Sequence, residues 1–315
     1  MKFGTLAIHA GQSPDPTTGA IMTPVYQTST FVQESPGRTK GNYDYARSAN
    51  PTRTALEENL AALEGGRFGI CFSSGCAAMA AMLHTLASGD HVVVCDDVYG
   101  GTFRLFDKIF AQLGIAYSIV DMCNMAQTKA AFTPKTKLVW IETPTNPMLK
   151  IIDIRAVVAI AKQHGALTLV DNTFATPYLQ SPLELGADVA CHSSTKYIGG
   201  HSDVIGGVLV VNDPALAEKL HYIQNAVGAE NISASGGEII VGNVRRSLQI
   251  KGEFKSIEDI QNLVIRSGSG ATVYLKDIAE VVDSYKEKET FARLDHKNVI
   301  TLNVVKRSGE NLIIC

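Results

Sequence analysis

The sequence lacks the features that mark a membrane protein, a secreted protein or a nucleic-acid-binding protein. Its 315 residues contain no apolar run of about 20 residues, the length that spans a bilayer. The opening stretch MKFGTLAIHAGQ has no long apolar segment of the kind found in a secretory signal. The net charge is −3 and no strongly basic stretch occurs, so neither a nucleic acid nor a membrane surface is an expected partner.

Metal, disulfide and dinucleotide patterns are missing as well. The six cysteines have no CxxC spacing and too low a density for a disulfide framework, which predicts reduced thiols and a cytoplasmic setting. The eight histidines show no metal-ligand spacing, so no metal site is expected. No predicted strand is followed by GxGxxG and a later acidic residue, which disfavours a Rossmann oxidoreductase.

What the sequence does contain is a regular alternation of strands and helices between about residues 55 and 213. Short β-branched runs separated by helical stretches predict an α/β fold with a mostly parallel sheet covered on both faces. The predicted strands are 91–96, 116–121, 137–143, 167–173, 188–193 and 207–212, and the predicted helices are 76–88, 102–113, 153–164 and 213–225. Ligands of such sheets bind beyond the carboxyl ends of the strands.

Both ends of the chain differ from this central part. Residues 1–50 are rich in Thr, Ser, Pro and Gly, which predicts an extended N-terminal arm. After Ala229 the charge density rises, because 24 of the last 86 residues are charged against 35 of the first 229. This change predicts a domain boundary, with an α/β domain over 51–229 and a small α+β segment over 230–315.

The ends of two predicted strands carry side chains that could take part in catalysis or ligand binding. The stretch CHSSTKYIGGHSDVIGG places Lys196 close behind an apolar strand, next to the hydroxyl groups of Ser193 and Thr195. Most lysines are solvated, but one at the edge of the core is expected to be partly buried, and its amine can then act as a nucleophile or base. Asp171, in TLVDNTF, either caps a helix or pairs with a protonated ring nitrogen of a ligand.

Three further stretches supply ligand-binding groups, although each also has an ordinary structural interpretation. Gly75 and Cys76 open a helix in CFSSGCAAMAAML, and the free N–H groups of a first helical turn suit a phosphate. Tyr99, in VYGGT, can stack on an aromatic ligand or pack in the core. Tyr45 and Arg47 point the same way in an extended stretch, toward an anion or another subunit. A lysine, an acid, a phosphate cup and a stacking ring together suit pyridoxal 5'-phosphate (PLP).

Collinear stretches of the first 229 residues resemble one family, the Cys/Met-metabolism (trans-sulfuration) enzymes, which use PLP and have fold type I. The stretches are AIHAGQSPDPTTGAIMTPVYQTSTF, YARSANPTR, FSSGCAAM, DDVYGGTFRLF, ETPTNPMLKIIDI, VDNTFATPYLQSPLELGADV and HSSTKYIGGHSDVIGG. TGAIMTPVYQTSTF and DVYGGTFRLF are most similar to the cystathionine γ-synthase/γ-lyase branch. The resemblance implies elimination or replacement at the γ carbon of cystathionine or an O-acylhomoserine.

The resemblance also implies a role for each candidate residue. Lys196 forms the Schiff base with PLP and moves protons, Asp171 pairs with the pyridinium nitrogen, and Tyr99 stacks on the ring. The remaining implied contacts are a phosphate cup of Gly75, Cys76, Ser193 and Thr195, Asn146 near the phenolic oxygen, and Tyr45 and Arg47 at the phosphate of a neighbouring subunit. The active unit is then a homodimer or homotetramer that takes a small amino-acid substrate.

After Ala229 the resemblance changes. Residues 230–315 resemble a porter-domain fragment of RND-type efflux pumps, in GEFKSIEDIQNLVI and GATVYLKDIAEV. The trans-sulfuration family carries an arginine in its C-terminal domain that binds the substrate carboxylate, and Arg266, in IRSGSG, is only superficially similar to that motif. Two alternatives to an active enzyme therefore stay open: a fusion that binds PLP but is catalytically impaired, and a transport-related interaction module.

Overall fold

The structure is a computed structural model that describes residues 2–227 and the strand backbone at 235–241, 244–249, 264–266, 273–274, 293–294 and 297–298. The chain divides into two compact units, Met1–Ser235 and Gly236–Cys315. Sequence-based expectations for the other residues of 230–315 lie outside the described residues.

The N-terminal part is mostly turns and extended chain, and none of residues 2–50 is buried. It contains a short helix, α1 (Phe3–His9), and a two-stranded ribbon of β1 (Gln33–Ser35) and β2 (Arg38–Thr39). Helix α1 differs from the expected extended arm. The Nδ2 group of Asn59 satisfies its C-terminal end by donating to the carbonyl oxygens of Leu6 at 3.0 Å and Ala10 at 2.9 Å.

The central part alternates strands and helices, as predicted. The helices are α2 (Pro51–Leu63), α3 (Gly75–Leu83), α4 (Gly100–Arg104), α5 (Met125–Ala130), α6 (Ile154–Gln163), α7 (Thr176–Leu179) and α8 (Pro214–Val227). The strands are β3 (Phe68–Phe72), β4 (His91–Cys95), β5 (Ala116–Val120), β6 (Thr136–Glu142), β7 (Leu167–Asp171), β8 (Val189–His192) and β9 (Gly207–Val211).

One predicted helix is wrong in its form. The helix expected over 102–113 is instead α4, followed by a π-helical turn at Leu105–Phe110 and a 3₁₀ turn at Ala111–Leu113. The segment stops at Gly114, whose φ of +84° is a left-handed conformation that glycine adopts without strain. Strand β3 was not predicted, because its apolar run FGICF is short. It forms one edge of the sheet.

A seven-stranded sheet in the order β3-β9-β8-β7-β6-β4-β5 forms the centre of this unit. All neighbouring pairs from β8 to β5 are parallel, whereas β9 runs antiparallel to both β3 and β8. This arrangement confirms the mostly parallel α/β sheet. Because β4, β6, β7 and β8 share one direction, their carboxyl ends meet at one edge of the sheet.

Both faces of the sheet are buried, which explains why the strands are continuous apolar runs. On one face Val92 and Val94 pack with side chains of α3 and α8. On the other face Val93 and Cys95 pack with α6, and a smaller cluster packs β8 and β9 against α2. Helix starts are capped by polar side chains, as when Ser74 accepts a 3.1 Å hydrogen bond from the N–H of Ala77.

From Ser235 onward the structure describes three strand pairs. They are β10 (Ser235–Val241) with β11 (Val244–Gln249), β12 (Val264–Arg266) with β13 (Val273–Tyr274), and β14 (Arg293–Leu294) with β15 (Lys297–Asn298). The last two pairs are antiparallel. The helical content expected for this segment lies outside the described residues. Among the helices described, none has both the length and the apolarity to cross a bilayer.

Candidate active site

The centre of the candidate site is Asp171, the last residue of β7, which is only 3% exposed. Its Oδ1 atom accepts hydrogen bonds from the N–H and the hydroxyl of Thr173, at 3.1 and 2.5 Å. Oδ2 has no hydrogen-bond partner among the described residues. Burial raises the pKa of this carboxyl, and the Thr173 bonds oppose that shift. Helix α7 is preceded by Ala175, so Asp171 is not a helix cap, and a cationic ligand group would compensate its burial.

Hydrogen bonds connect this carboxylate to the lysine loop. The N–H of Ser193 donates to the Thr173 hydroxyl at 2.9 Å, and the N–H of Lys196 donates to the Ser193 carbonyl at 3.1 Å. Lys196 lines a pocket of about 610 Å³ together with Phe174 and Thr195. The expectation that Lys196 is partly buried is wrong. Strand β8 ends at His192, and the following turn carries the lysine out to an exposed position over the pocket.

The N-terminus of α3 packs closely against Ser193 and presents free N–H groups. The N–H groups of Gly75 and Cys76 are the first two of this helix and have no acceptor within it. Gly75 is in close contact with Ser193, because a Cβ at position 75 would lie 2.7 Å from the Ser193 Cβ. The hydroxyl of Thr195 accepts from the Gly206 N–H at 3.1 Å and so also holds its own loop. The phosphate roles of these residues stay predictions.

Replacing Gly75 by alanine is expected to lower the free energy of unfolding by about 1–3 kcal/mol, because the added methyl group forces Ser193 to move. Urea unfolding followed by the fluorescence of Trp140, the one tryptophan, measures the change. Gly4→Ala is the matched control, since a Cβ there meets no atom within 4 Å. Equal unfolding free energies for the two variants would show that position 75 tolerates a side chain.

Tyr99 lies four residues beyond the end of β4 and is 43% exposed, and its stacking role stays a prediction. A Cβ at Gly101 would overlap the Tyr99 ring, so the glycine leaves the space that the ring occupies. The backbone N–H of Tyr99 donates to Oε2 of Glu142 at 2.8 Å. The ring is therefore placed at the same sheet edge as Asp171.

Glu142 is a site residue that the sequence analysis did not single out. It is the last residue of β6, is 5% exposed, and pairs in register with Asp171. Burial, and then the negative charge of Asp171, raise its pKa to about 8. The signal available in the sequence was an acidic residue that ends the apolar run KLVWIE, directly before TPTNP.

A second missed feature is a buried polar network behind Asp171. The ring of His192 contacts Glu64, both residues are 1% exposed, and Glu64 also accepts from the Nδ2 group of Asn172 at 2.8 Å. His192 favours the charged form of Asp171, in opposition to the desolvation that raises its pKa. The network thus ties α2 to the residues that follow β7 and precede Ser193.

The other predicted residues lie in surface loops. Asn146 is half-buried in the loop after β6, which is anchored to Asp97 by the hydroxyl of Thr145 at 2.5 Å. Tyr45 and Arg47 share one side of the arm, because the guanidinium carbon lies 5.2 Å from the tyrosine ring centroid. Arg47 also donates to Oδ1 of Asn225 in α8 at 3.2 Å. Their contact with a neighbouring subunit stays a prediction.

These groups fit PLP on structural grounds. Asp171 uses only one carboxylate oxygen in hydrogen bonds to described residues, α3 presents free N–H groups next to Ser193, and a hydrogen-bonded path leads from Asp171 to Lys196. Within residues 2–227 and the described strands, no group of three or more His, Cys, Asp or Glu side chains could hold a metal ion. The fold and these groups together are those expected of an α/β protein that binds a phosphorylated aromatic aldehyde.

Comparison with known proteins identifies the family. The profile described as "Cys/Met metabolism PLP-dependent enzyme" matches residues 4–240, and the chain belongs to this family. It is 55% identical over 225 residues to cystathionine beta-lyase of Lactococcus lactis subsp. cremoris, covering 71% of this chain and 59% of that protein. It is 54% identical over 226 residues to cystathionine gamma-synthase of Mycobacterium tuberculosis, covering 71% and 58%.

A solved structure agrees with this assignment. The crystal structure of metB from Corynebacterium glutamicum matches with a TM-score of 0.72 and 48% sequence identity, over 73% of this chain and 60% of that one. The chain therefore spans about 60% of the length of each of these three proteins. Residues 210–314 are similar to a second family, AcrB/AcrD/AcrF. The two resemblances expected from the sequence are thus both confirmed.

Proposed function

We propose that the chain binds PLP and acts in trans-sulfuration, by γ-elimination or γ-replacement on cystathionine or an O-acylhomoserine. The hydrogen-bonded path from Asp171 through Thr173 and Ser193 to Lys196 carries this proposal. It links an acid for the ring nitrogen to the amine that would hold the aldehyde. The relatives named above are called a beta-lyase and a gamma-synthase, so β-elimination is the competing reaction on the same substrate class.

Each proposed contact uses an observed group. Oδ2 of Asp171 would accept from the ring nitrogen, and the face of Tyr99 would stack on the ring. The phosphate would be held by Gly75, Cys76, Ser193 and Thr195, with Asn146 near the phenolic oxygen and with Tyr45 and Arg47 supplied by the neighbouring subunit of a homodimer or homotetramer. The arm (1–50), the PLP domain (51–229) and the efflux-pump-like segment (230–315) are the proposed division of the chain, and the cytoplasm is its proposed location.

The chain's own residues would handle protons and charge. When bound, PLP supplies a sink for the electrons released at the α carbon of the substrate. The buried charge of Asp171 keeps the ring nitrogen protonated, which makes the sink effective. The Lys196 amine, exposed at the pocket, takes the α proton and returns a proton to the product. Thr173 fixes the Asp171 carboxylate through its two hydrogen bonds while this happens.

The second candidate function is PLP binding with impaired turnover. It is favoured because the chain spans only 59% of the beta-lyase's length and because residues 210–314 match a second family. The residues that hold PLP all precede that segment, whereas no arginine within it matches the family's carboxylate-binding motif. A substrate misplaced by about 1 Å can react about 100-fold more slowly.

Borohydride reduction of the purified, PLP-supplemented chain, followed by peptide mass mapping, tests cofactor binding. We expect one pyridoxyl group, on the peptide that contains Lys196. Label on another lysine, or no label, would reject the proposal.

Adding L-cystathionine or O-succinylhomoserine then separates the two candidate functions. An active enzyme releases product and shifts the absorbance spectrum, whereas an impaired binder shows a static spectrum. The thiol, keto-acid and amino-acid products distinguish γ from β chemistry.

A further inference from the structure

We infer that Glu142 is a positioning residue that holds Tyr99 in its stacking position through the Tyr99 backbone N–H. This inference rests on the proposed function, because Tyr99 is placed there as the ring-stacking residue. Glu142 acts on Tyr99 and is not itself proposed to contact the cofactor or substrate.

Several contacts hold the turn that carries Tyr99, but among the described residues only one side chain bonds Tyr99 itself. The Tyr99 carbonyl also accepts from the Phe103 N–H at 3.1 Å, a bond of the first turn of α4. Asp96 pairs with Lys150 at 2.6 Å, and Asp97 accepts from Thr145 at 2.5 Å. Both contacts lie two or three residues before the ring. The 2.8 Å bond from the Tyr99 N–H to Glu142 is the side-chain contact at the residue that must be placed.

The position of Glu142 makes this contact rigid. The residue ends β6 and is held on one side by strand pairing, with Asp171 as its partner in β7. Its own N–H lies 3.2 Å from Sγ of Cys95, at the end of β4. A carboxylate on such a frame moves little, so the oxygen that accepts from Tyr99 is presented at a defined distance from Asp171.

Tyr99 needs this support because its own helix is short. Tyr99 is the residue before α4, which has only five residues, and its side chain makes no capping bond. The ring is 43% exposed and lies against Gly101, which has no side chain to retain it. The orientation of the ring therefore depends on the Tyr99 backbone, which the Phe103 N–H holds from α4 and the Glu142 carboxyl holds from the sheet.

A substitution series at Glu142 tests the inference on the PLP-loaded chain. Glu142→Gln keeps an oxygen that can accept from the Tyr99 N–H, and Glu142→Leu removes it. Glu142→Asp keeps the carboxyl group but withdraws the oxygen by one methylene group. Visible circular dichroism of bound PLP reports ring placement, and quenching of Trp140 fluorescence gives the Kd for PLP. We expect the Gln variant to stay within about twofold of the parent, and the Leu and Asp variants to lose dichroism and bind about 5- to 50-fold more weakly.

The same substitutions in a Tyr99→Ala background isolate the role of Tyr99. If Glu142 acts through Tyr99, Glu142→Leu adds no further loss there. A Leu variant equal to the parent, a Gln variant as poor as Leu, or an undiminished loss in the Tyr99→Ala background would overturn the inference. Should the Leu variant fail to fold, the Asp variant carries the same comparison. A parent chain that binds no PLP rejects the proposed function itself, and this assignment with it.

Discussion

Replacing Lys196 by alanine is expected to abolish covalent attachment of PLP while leaving the fold of the first unit intact. The side chain is exposed, so its removal leaves no cavity, and substitutions at such positions usually change stability by at most about 0.5 kcal/mol. The backbone bonds of this residue, to Ser193 at 3.1 Å and from Gly200 at 2.8 Å, are kept by alanine. If the parent chain turns over cystathionine, the rate should fall by about 10²- to 10⁴-fold, as for loss of a positioned general base.

Borohydride labelling, the visible absorbance of the PLP-loaded chain and a cystathionine assay measure these effects. Lys137→Ala is a suitable control, because this exposed lysine lies near the start of β6, at the opposite end of the strand from Glu142. The control should keep label, colour and activity. A Lys196→Ala chain that keeps a pyridoxyl label at another lysine, or that still turns over cystathionine at the parent rate, would contradict the assignment.

Glu142→Gln is expected to stabilise the folded chain more at alkaline pH than at acidic pH. The folded-state pKa of Glu142 is about 8 and its ordinary value is 4.5, because folding buries the carboxyl near Asp171. Between those values the folded chain holds a proton that the unfolded chain has lost, so raising the pH destabilises the fold. The penalty is absent below about pH 4.5 and complete above about pH 8, where it reaches up to about 5 kcal/mol.

Urea unfolding at pH 5 and pH 9, followed by Trp140 fluorescence after removal of PLP with hydroxylamine, measures this difference. The gain from the substitution should be about 3–5 kcal/mol larger at pH 9 than at pH 5. Glu58→Gln is the control, since it removes an exposed carboxylate from α2 and should give similar differences at both pH values. An equal effect of Glu142→Gln at the two pH values would show that this carboxyl does not titrate in that range.

The strands of the central sheet were predictable because burial on both faces demands continuous apolar runs. HVVVC and GVLVV have no polar face, and both are fully buried in the structure. The helix expected over 102–113 was less predictable. Its apolar residues Phe106 and Phe110 are spaced as in an α-helix, and packing against the sheet nevertheless holds this part of the chain as a π-helical turn.

Residues of the candidate site could be predicted from the sequence where a single polar residue follows an apolar strand. Asp171 and Lys196 combine an apolar run with a polar group behind it, and the family resemblance carried by those motifs is confirmed. Burial of individual side chains was not visible in the same way. Lys196 lies exposed because the turn after β8 leads outward, which no local pattern specifies.

Local chemistry was therefore enough for the alternation of strands and helices, the parallel sheet and the family, because each follows from short-range patterns along the chain. Local patterns did not determine which strands are neighbours, since the order β7-β6-β4 joins segments that are distant in sequence. That order brings Glu142 beside Asp171 and under the backbone of Tyr99, and it raises the pKa of Glu142. Proximity between buried charges depends on the packed arrangement, so only the tertiary structure could decide it.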